Sequence, residues 1–169
     1  DHPGGYDGHG TLIALPHVGN LTRNITFSSP LNAVTRAHSI FTERADVSIK
    51  YVEFARMGRT TADPLHNSKF DTNGVMTEFG LNQIGRYPVH THHLMGLVNP
   101  SNTGYQFEIV GTAIHDCAKW CISIHDSHFG NLSHLVGYHA EGAVIMTEEG
   151  NETENLFDFN FAVRTGTPR

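Results

Sequence analysis

Apolar and polar positions alternate in short runs along the chain, and Gly, Asn, Asp or Pro separates the runs. This two-residue period is typical of β-strands that bury one face. No window shows the uninterrupted i, i+3, i+4, i+7 apolar pattern of a helix. The pattern therefore predicts an all-β fold, which leaves a sandwich, a barrel or a solenoid. The predicted strands are GTLIAL, NITFSS, DVSIKYVEF, YQFEIVGTAI, WCISIH, LSHLVGYH, GAVIMT and LFDFNFAV.

An internal repeat distinguishes among these architectures. Residues 37–58, 121–142 and 143–166 each contain a short apolar strand, a polar turn, a second alternating strand and a glycine. Residues 89–120 fit the same template with a loop of about ten residues after Gly96. A period of about 22–24 residues made only of strands and turns is typical of the rungs of a right-handed parallel β-helix. A β-sandwich with accidental internal similarity is the alternative.

The repeat predicts a single β-helix domain over residues 1–169, either complete or as a fragment of a longer chain. Residues 1–17 are expected to form an irregular start or a cap. Residues 59–84 do not fit the repeat and predict a long loop excursion from one rung. Long loops held by a rigid scaffold often carry function.

Composition narrows the choice of partner. The chain has 11 Lys and Arg against 17 Asp and Glu, a net charge of −6, and no basic run. This balance argues against nucleic acid as a partner. No apolar stretch approaches the ~18 residues needed to cross a membrane. Cys117 and Cys121 lie four residues apart, a spacing compatible with a disulfide in a bent segment or with a reduced pair.

Several strings together resemble a known family. They are VGNLTRNITF, ADVSIKYVEFARMGRT, IGRYPVHTHHLMG, ISIHDSHFGNLSHLVGYHAEGAVIMTEEGNETEN and FNFAV, and they cover roughly residues 18–165. The chain resembles the β-helix domain of the cell-migration-inducing hyaluronan-binding protein and the fibrocystins, in its exported bacterial branch. The resemblance implies a right-handed parallel β-helix, usually within a much longer chain. It also implies a secreted or cell-surface location, and links the animal members to hyaluronan binding and cleavage.

Histidines are concentrated in two of the aligned strands. VHTHH (89–93) aligns with SIHDSH (123–128) and with IMTEEG (145–150). Equivalent residues of neighbouring rungs stack about 4.8 Å apart, and alternate residues of a strand face the same side. The alignment therefore predicts that His92 and His125 belong to one outward column.

The same alignment predicts the other members of this column. Thr147 or Glu148 continues it, and His90 faces the same side as His92, whereas His93 faces the other side. His128 and Glu149 are expected to close the edge of the site, and His38 to match the column one rung earlier. Imidazoles and a carboxylate on one face suit Zn, Cu, Mn or Fe. The predicted metal ligands are His38, His90, His92, His125 and His128.

Two readings without a metal remain open. One is a polar groove for catalysis or binding, and the other is a structural ladder of hydrogen-bonded side chains. Cleavage of a polysaccharide by hydrolysis needs an acid and a base, and a lyase needs a base and a cation that neutralises a uronate. The candidate catalytic residues are His125, Glu148, Glu149 and Arg86. The candidate substrate-binding residues are Arg36, Tyr87, Trp120 and Asp126.

The leading hypothesis is an exported β-helix protein whose His-rich groove binds or cleaves a polysaccharide with a divalent metal. One alternative is a non-hydrolytic metal-binding protein that is either redox-active or sequestering. The other is a structural or adhesive solenoid. Self-association or further domains are expected at open solenoid ends, because unpaired strand edges attract other strands.

Overall fold

A computed structural model describes residues 5–15, 17–96 and 104–166. The regular structure of these residues consists of β-strands, as the alternating pattern predicts. The loop expected after Gly96 lies largely outside the described residues. The strands are β1 (Gly5–Tyr6), β2 (Leu12–Ala14), β3 (Ile25–Ser28), β4 (Ser39–Thr42), β5 (Val47–Lys50), β6 (Val52–Ala55), β7 (Lys69–Phe70), β8 (Met76–Glu78), β9 (Val89–His92), β10 (Phe107–Val110), β11 (Ala113–Cys117), β12 (Ile122–His125), β13 (Gly130–Ser133), β14 (Val136–Ala140), β15 (Ile145–Thr147), β16 (Leu156–Asp158) and β17 (Phe161–Thr165).

Three parallel sheets form the body of the molecule. The first sheet has the order β4-β9-β12-β15, and the second has the order β5-β10-β13-β16. The third sheet has the order β3-β6-β11-β14-β17. Because the chain visits the first, second and third sheets in turn before returning to the first, it forms the stacked rungs of a parallel β-helix. This architecture confirms the predicted fold class.

Each rung has three strands, where the repeat analysis expected two. The predicted strand DVSIKYVEF is β5 and β6, and Tyr51 between them has a positive φ of 56°. Gly111, His134 and Phe159 occupy the same corner in the following rungs, with φ values of 61°, 56° and 49°. A left-handed residue turns the chain sharply without a loop. The alternating pattern therefore continues across a bend that it does not reveal.

Inward-facing apolar side chains fill the interior of the rungs. Val89, Ile122 and Ile124 from the first sheet are fully buried, as are Ile109 from the second and Ile114 from the third. They belong to one continuous core cluster. Ile122 pairs with Ile145 on the next rung, 23 residues later, which agrees with the repeat of about 22–24 residues.

The segments outside the rungs form short hairpins. β1 and β2 pair antiparallel near the start of the chain, and β7 and β8 do so within the excursion of residues 59–84. Cys117 and Cys121 form a disulfide between the third and first sheets. The strands at the two ends of the stack keep apolar side chains exposed, including Phe27 and Phe157. The association predicted at these ends stays a prediction.

The described residues contain no helix of the length and hydrophobicity that crossing a membrane requires.

Candidate metal centre

The histidines of the first sheet project away from the core. In β9 and β12, Val89, Ile122 and Ile124 point into the interior. Because side chains alternate along a strand, His92 and His125 face the opposite side. His92 pairs with His125 in the parallel register, as the sequence alignment predicted.

Glu148 follows β15 on the next rung and donates its backbone N–H to the Ile124 carbonyl. Its position therefore extends the same column. Glu148 Oε2 lies 3.4 Å from His125 Nδ1, and Oε1 lies 3.8 Å from His90 Nε2. Ser123 Oγ donates a hydrogen bond to Glu148 Oε1. This carboxylate is only 11% exposed, and it lies within 3.8 Å of nitrogens of two of the histidines.

The segment that precedes β9 covers His90. The His90 side chain is 3% exposed, and its Nδ1 lies 2.9 Å from the Gly85 carbonyl oxygen. The edge-on Tyr87 ring lies 5.4 Å from the His90 ring. Gly85 has φ 75°, and a Cβ there would come within 3.3 Å of His90 Cε1. A hydrogen bond from Nδ1–H to the carbonyl leaves Nε2 with the lone pair that a metal ligand needs.

His90, His92 and His125 converge on one point. Their ligand nitrogens all lie within 4.8 Å of one another. Ring centroids are 5.1 Å apart for His90 and His92, and 4.7 Å apart for His92 and His125. His90 Nε2 and His92 Nδ1 are buried and have no hydrogen-bond partner among the described residues. Buried nitrogens without a partner are costly unless another group satisfies them.

His93 joins the same side of the sheet, so the prediction that it faces the other side is wrong. Its φ of 58° rotates the chain at the end of β9 and breaks the strand alternation. The His93 ring stacks on His92 at 4.1 Å and lies 5.2 Å from His125. Asp126, with φ 43°, makes the same turn one rung later. His93, His125 and Asp126 form a second group whose ligand atoms lie within 4.8 Å of one another.

Burial sets the protonation of the inner histidines. It is the main cause that lowers the pKa of His90, against the Gly85 hydrogen bond and the Glu148 charge, which raise it. Burial also lowers the pKa of His92, and the neighbouring His93 and His125 lower it further. A hydrogen bond from Asn151 is the main reason why the pKa of Asp126 is lowered. The lowered pKa values favour neutral His90 and His92 side chains and an ionised Asp126 near pH 7.

Three predicted site residues are not part of either ligand group. Thr42, not His38, pairs with His92 on the preceding rung, because His38 comes one residue before β4 begins. His128 Nδ1 accepts the backbone N–H of Thr153 at 3.0 Å, so this ring is engaged with the next rung. Glu149 is exposed in a turn, where its backbone N–H donates to Glu152. Neither His128 nor Glu149 belongs to a described metal-ligand group.

The predicted substrate-binding aromatics are packed against each other. Tyr87 is 1% exposed, so the structure corrects the expectation of an exposed sugar platform at this residue. Its ring lies 5.0 Å from that of Trp120. Trp120 is half-buried, and the Lys119 ammonium lies 4.2 Å from its ring centroid. Burial is the main cause that raises the pKa of Tyr87.

The two candidate arginines occupy separate clefts. Arg86 lines a cleft of about 400 Å³ between the body and the excursion, together with Phe70 and Phe79. Arg59 lines both this cleft and a second one that contains Arg36. Arg36 Nη1 donates to the Asp116 carbonyl at 2.9 Å. Arg59 was not among the predicted residues, because no motif distinguishes it from other surface arginines.

A second histidine network lies on the third sheet. His115 Nδ1 and His139 Nδ1 each lie 2.7 Å from an oxygen of Asp116, and His115 Nε2 lies 3.2 Å from Glu53. Burial raises the pKa of Asp116, but the hydrogen bonds with His139 and His115 outweigh this effect and lower it. Direct hydrogen bonds fill this network, whereas the inner cluster of the first sheet keeps nitrogens without partners.

Three imidazole nitrogens with a nearby carboxylate can hold a divalent ion. Three protein ligands with an open fourth position are typical of catalytic zinc, and imidazole also suits copper and iron. The orphaned nitrogens of His90 and His92 show that the residues present fit such an ion. His93 and Asp126 enlarge the donor set beyond the sequence prediction.

The fold and this cluster define a parallel β-helix with a histidine-rich face on one sheet. The family description "CEMIP beta-helix" matches residues 65–168, which is more than half of the chain. The chain belongs to the CEMIP β-helix family. Its relation to a bacterial, exported branch stays a prediction.

Curated relatives agree with this family. The mouse (Mus musculus) cell migration-inducing and hyaluronan-binding protein is 25% identical over 161 residues, which are 89% of this chain and 12% of the relative. Mouse fibrocystin-L is 31% identical over 48% of this chain and 2% of its own length. The human (Homo sapiens) cell surface hyaluronidase CEMIP2 is 30% identical over 53% of this chain and 6% of its own length. The chain thus spans a small part of these relatives. No solved structure gives a significant match.

Proposed function

We propose that this domain binds or cleaves a polysaccharide at the histidine-rich face of its first sheet, with one divalent ion held by His90, His92 and His125. The observation that carries the proposal is the convergence of these three rings, two of which have buried nitrogens without hydrogen-bond partners. The similarity to proteins named for hyaluronan binding and for hyaluronidase activity supports a polysaccharide as the ligand. A secreted or cell-surface location belongs to the same proposal.

Each side chain has a defined task in this scheme. The Gly85 carbonyl orients His90, and Ser123 orients Glu148. The bound ion would polarise a water or a sugar oxygen. Glu148, which contacts His125 and faces His90, would accept the proton. His92 supplies the third nitrogen and is neutral near pH 7 because burial lowers its pKa.

Metal analysis tests the first half of the proposal. Purified protein is loaded with Zn(II), desalted and analysed by elemental mass spectrometry. We expect His90→Gln, His92→Ala and His125→Ala each to lower metal affinity at least tenfold. His128→Ala is the matched control, because His128 lies on the same rung as His125 but its ring is hydrogen-bonded to Thr153. Unchanged metal content in all three cluster variants would show that the histidines have another role.

Glycan assays test the second half. Hyaluronan is the first probe, and binding and reducing-end release are measured with and without chelator. Release that chelator abolishes and zinc restores would support a hydrolase or lyase. Binding without release would support a lectin-like role. If the loaded protein neither binds nor cleaves hyaluronan or other polysaccharides of an array, the glycan proposal fails.

The donor set favours a second candidate, a metal-binding protein without hydrolytic activity. Three imidazoles also suit copper, and His93 stacked on His92 adds a further nitrogen donor. This function would be favoured over the first if the protein binds copper with a reversible redox signal but neither binds nor cleaves any glycan.

A further inference from the structure

We propose that the histidine-rich face holds a second divalent ion, bound by His93, His125 and Asp126, so that His125 bridges two ions through its two ring nitrogens. This outer site extends the proposed function and rests on it only in sharing His125 with the inner ion. Two imidazole nitrogens and one carboxylate oxygen form a donor set that suits Zn(II), Fe(II) or Mn(II).

The orientation of Asp126 supports the outer site. Asn151 Nδ2 donates to Asp126 Oδ1, which fixes the carboxylate. The other oxygen, Oδ2, lies 3.5 Å from His93 Nε2 and 3.5 Å from His125 Nε2. These separations are longer than good hydrogen bonds. One carboxylate oxygen and two ring nitrogens therefore surround a gap, whereas the Asp116 network closes its contacts at 2.7 Å.

The two nitrogens of His125 face different partners. Nδ1 lies 3.4 Å from Glu148 Oε2, on the side where Glu148 also approaches His90. Nε2 lies 3.5 Å from Asp126 Oδ2, on the side of His93. An imidazole with both nitrogens available can bind one ion at each, since each nitrogen carries a lone pair once its proton is released.

The backbone holds the outer ligands in place. His93 and Asp126 both have left-handed φ values, of 58° and 43°, and they follow the paired residues His92 and His125. The His93 N–H donates to the His125 carbonyl at 2.9 Å. Left-handed residues such as Tyr51 and His134 also turn the chain at another corner of the rungs, so this geometry positions the two side chains and does not by itself mark a site. The two turns bring side chains to this face that regular strands would send to the other.

The two sites differ in their exposure. The inner site includes His90, which is 3% exposed, whereas His93 is 47% exposed and Asp126 is 25% exposed. The outer ion would therefore keep open positions toward solvent, where water or a substrate oxygen could bind. We expect the outer ion to bind more weakly than the inner one, because fewer of its ligands are held by packing.

Stoichiometry tests the second site. Zn(II) is titrated into the metal-free protein by calorimetry, and bound zinc is counted by elemental analysis. We expect two equivalents in the wild type. His93→Ala and Asp126→Asn should lower the affinity of the weaker equivalent at least tenfold and leave the tighter one unchanged. His90→Gln should weaken only the tighter one, and His125→Ala should weaken both. His128→Ala is the control.

The outcomes separate the two proposals. A single bound zinc would overturn the outer site and support the inner one if its affinity falls in His90→Gln but not in His93→Ala or Asp126→Asn. A single bound zinc whose affinity falls in His93→Ala and Asp126→Asn but not in His90→Gln would overturn the inner site and the bridge. No bound zinc would overturn both. With Cu(II), two bridged ions should show magnetic coupling in electron paramagnetic resonance, which His125→Ala should abolish, and two uncoupled signals would overturn the bridge.

Discussion

At the scale of single residues, Glu148 is the carboxylate that contacts two of the three inner histidines. We predict that Glu148→Gln lowers the rate of polysaccharide cleavage by about 10²–10⁴, if the domain cleaves its ligand, because the amide cannot accept a proton. Metal content should change little, because the three imidazoles remain. The measurement is reducing-end release at equal metal occupancy.

Glu149→Gln is the matched control for this prediction. It makes the same chemical change one residue later, in an exposed turn. Equal loss of rate in both variants would indicate a general effect of charge near the site. A fully active Glu148→Gln variant would remove Glu148 from the proton-accepting role.

Strand alternation explains which site residues the sequence could predict. The outward orientation of His92 and His125 could be predicted from the alternation in β9 and β12, because the intervening positions hold core residues such as Ile122 and Ile124. His93 could not be predicted to face this side. Its orientation depends on a left-handed φ at the strand end, and no residue pattern around it indicates that turn.

At the scale of elements, the corner between the second and third sheets consists of stacked left-handed residues. His134 occupies this corner with φ 56°, and its ring stacks on Phe159 at 5.3 Å. We predict that His134→Val lowers the free energy of unfolding by about 1–2 kcal/mol or more, because a β-branched residue is strained in this conformation. Urea unfolding measures the change.

His134→Asn is the control for the corner, since Asn tolerates the left-handed region. It removes the stacking on Phe159 without adding β-branched strain. The strain argument requires His134→Val to be less stable than His134→Asn. Equal stability of the two variants would assign the loss to the ring contact alone.

The disulfide is a second local element. Cys117 and Cys121 close a small loop between the third and first sheets, with a sequence separation of 4. We predict that the double variant Cys117→Ser/Cys121→Ser loses about 2 kcal/mol of unfolding free energy, since a short loop gains little from cross-linking. Thermal unfolding of both proteins, with and without reductant, measures it. Reductant should affect only the wild type, and an equal response of the two proteins would contradict the bridge.

The boundaries between strands could not be predicted fully from the sequence. The alternating runs predicted the strands but joined pairs of them, because Tyr51 and His134 turn the chain without interrupting the apolar–polar pattern. The predicted position of His38 was wrong for a different reason, which is the strand register. The alignment matched His38 to the histidine column one rung earlier, but β4 begins at Ser39 and pairs Thr42 with His92.

At the scale of the whole molecule, the repeat length predicted the architecture. Neighbouring rungs must place apolar residues at the same position in each turn, and Ile122 and Ile145 show this spacing directly. The excursion of residues 59–84 was recognisable because it breaks the repeat. Its effect on the site could not be recognised from the sequence. The cover over His90 comes from Gly85 and Tyr87, and their contacts with His90 depend on how the chain returns to β9.

Three histidines that are wholly or partly buried predict how the stability of the metal-free protein depends on pH. Burial is the main cause that lowers the pKa values of His38, His90 and His92 from 6.5 in the folded state. Below about pH 6.5 the unfolded chain therefore binds protons that the folded chain does not, so stability falls as pH decreases. The lowered pKa values of Asp116 and Asp126 act in the same direction, but only near and below their usual value of 3.8.

Unfolding by urea at pH 7.5, 6.5 and 5.5 measures this dependence in the metal-free protein. We expect the midpoint to fall across this series and the fall to be smaller in His90→Gln, which has no titrating imidazole at the most buried position. Saturating zinc should raise the midpoint most at pH 7.5, because the ion binds neutral imidazoles and protons compete with it. A midpoint that rises toward pH 5.5 would mean that these histidines gain protons on folding, and it would argue against a metal-ready site.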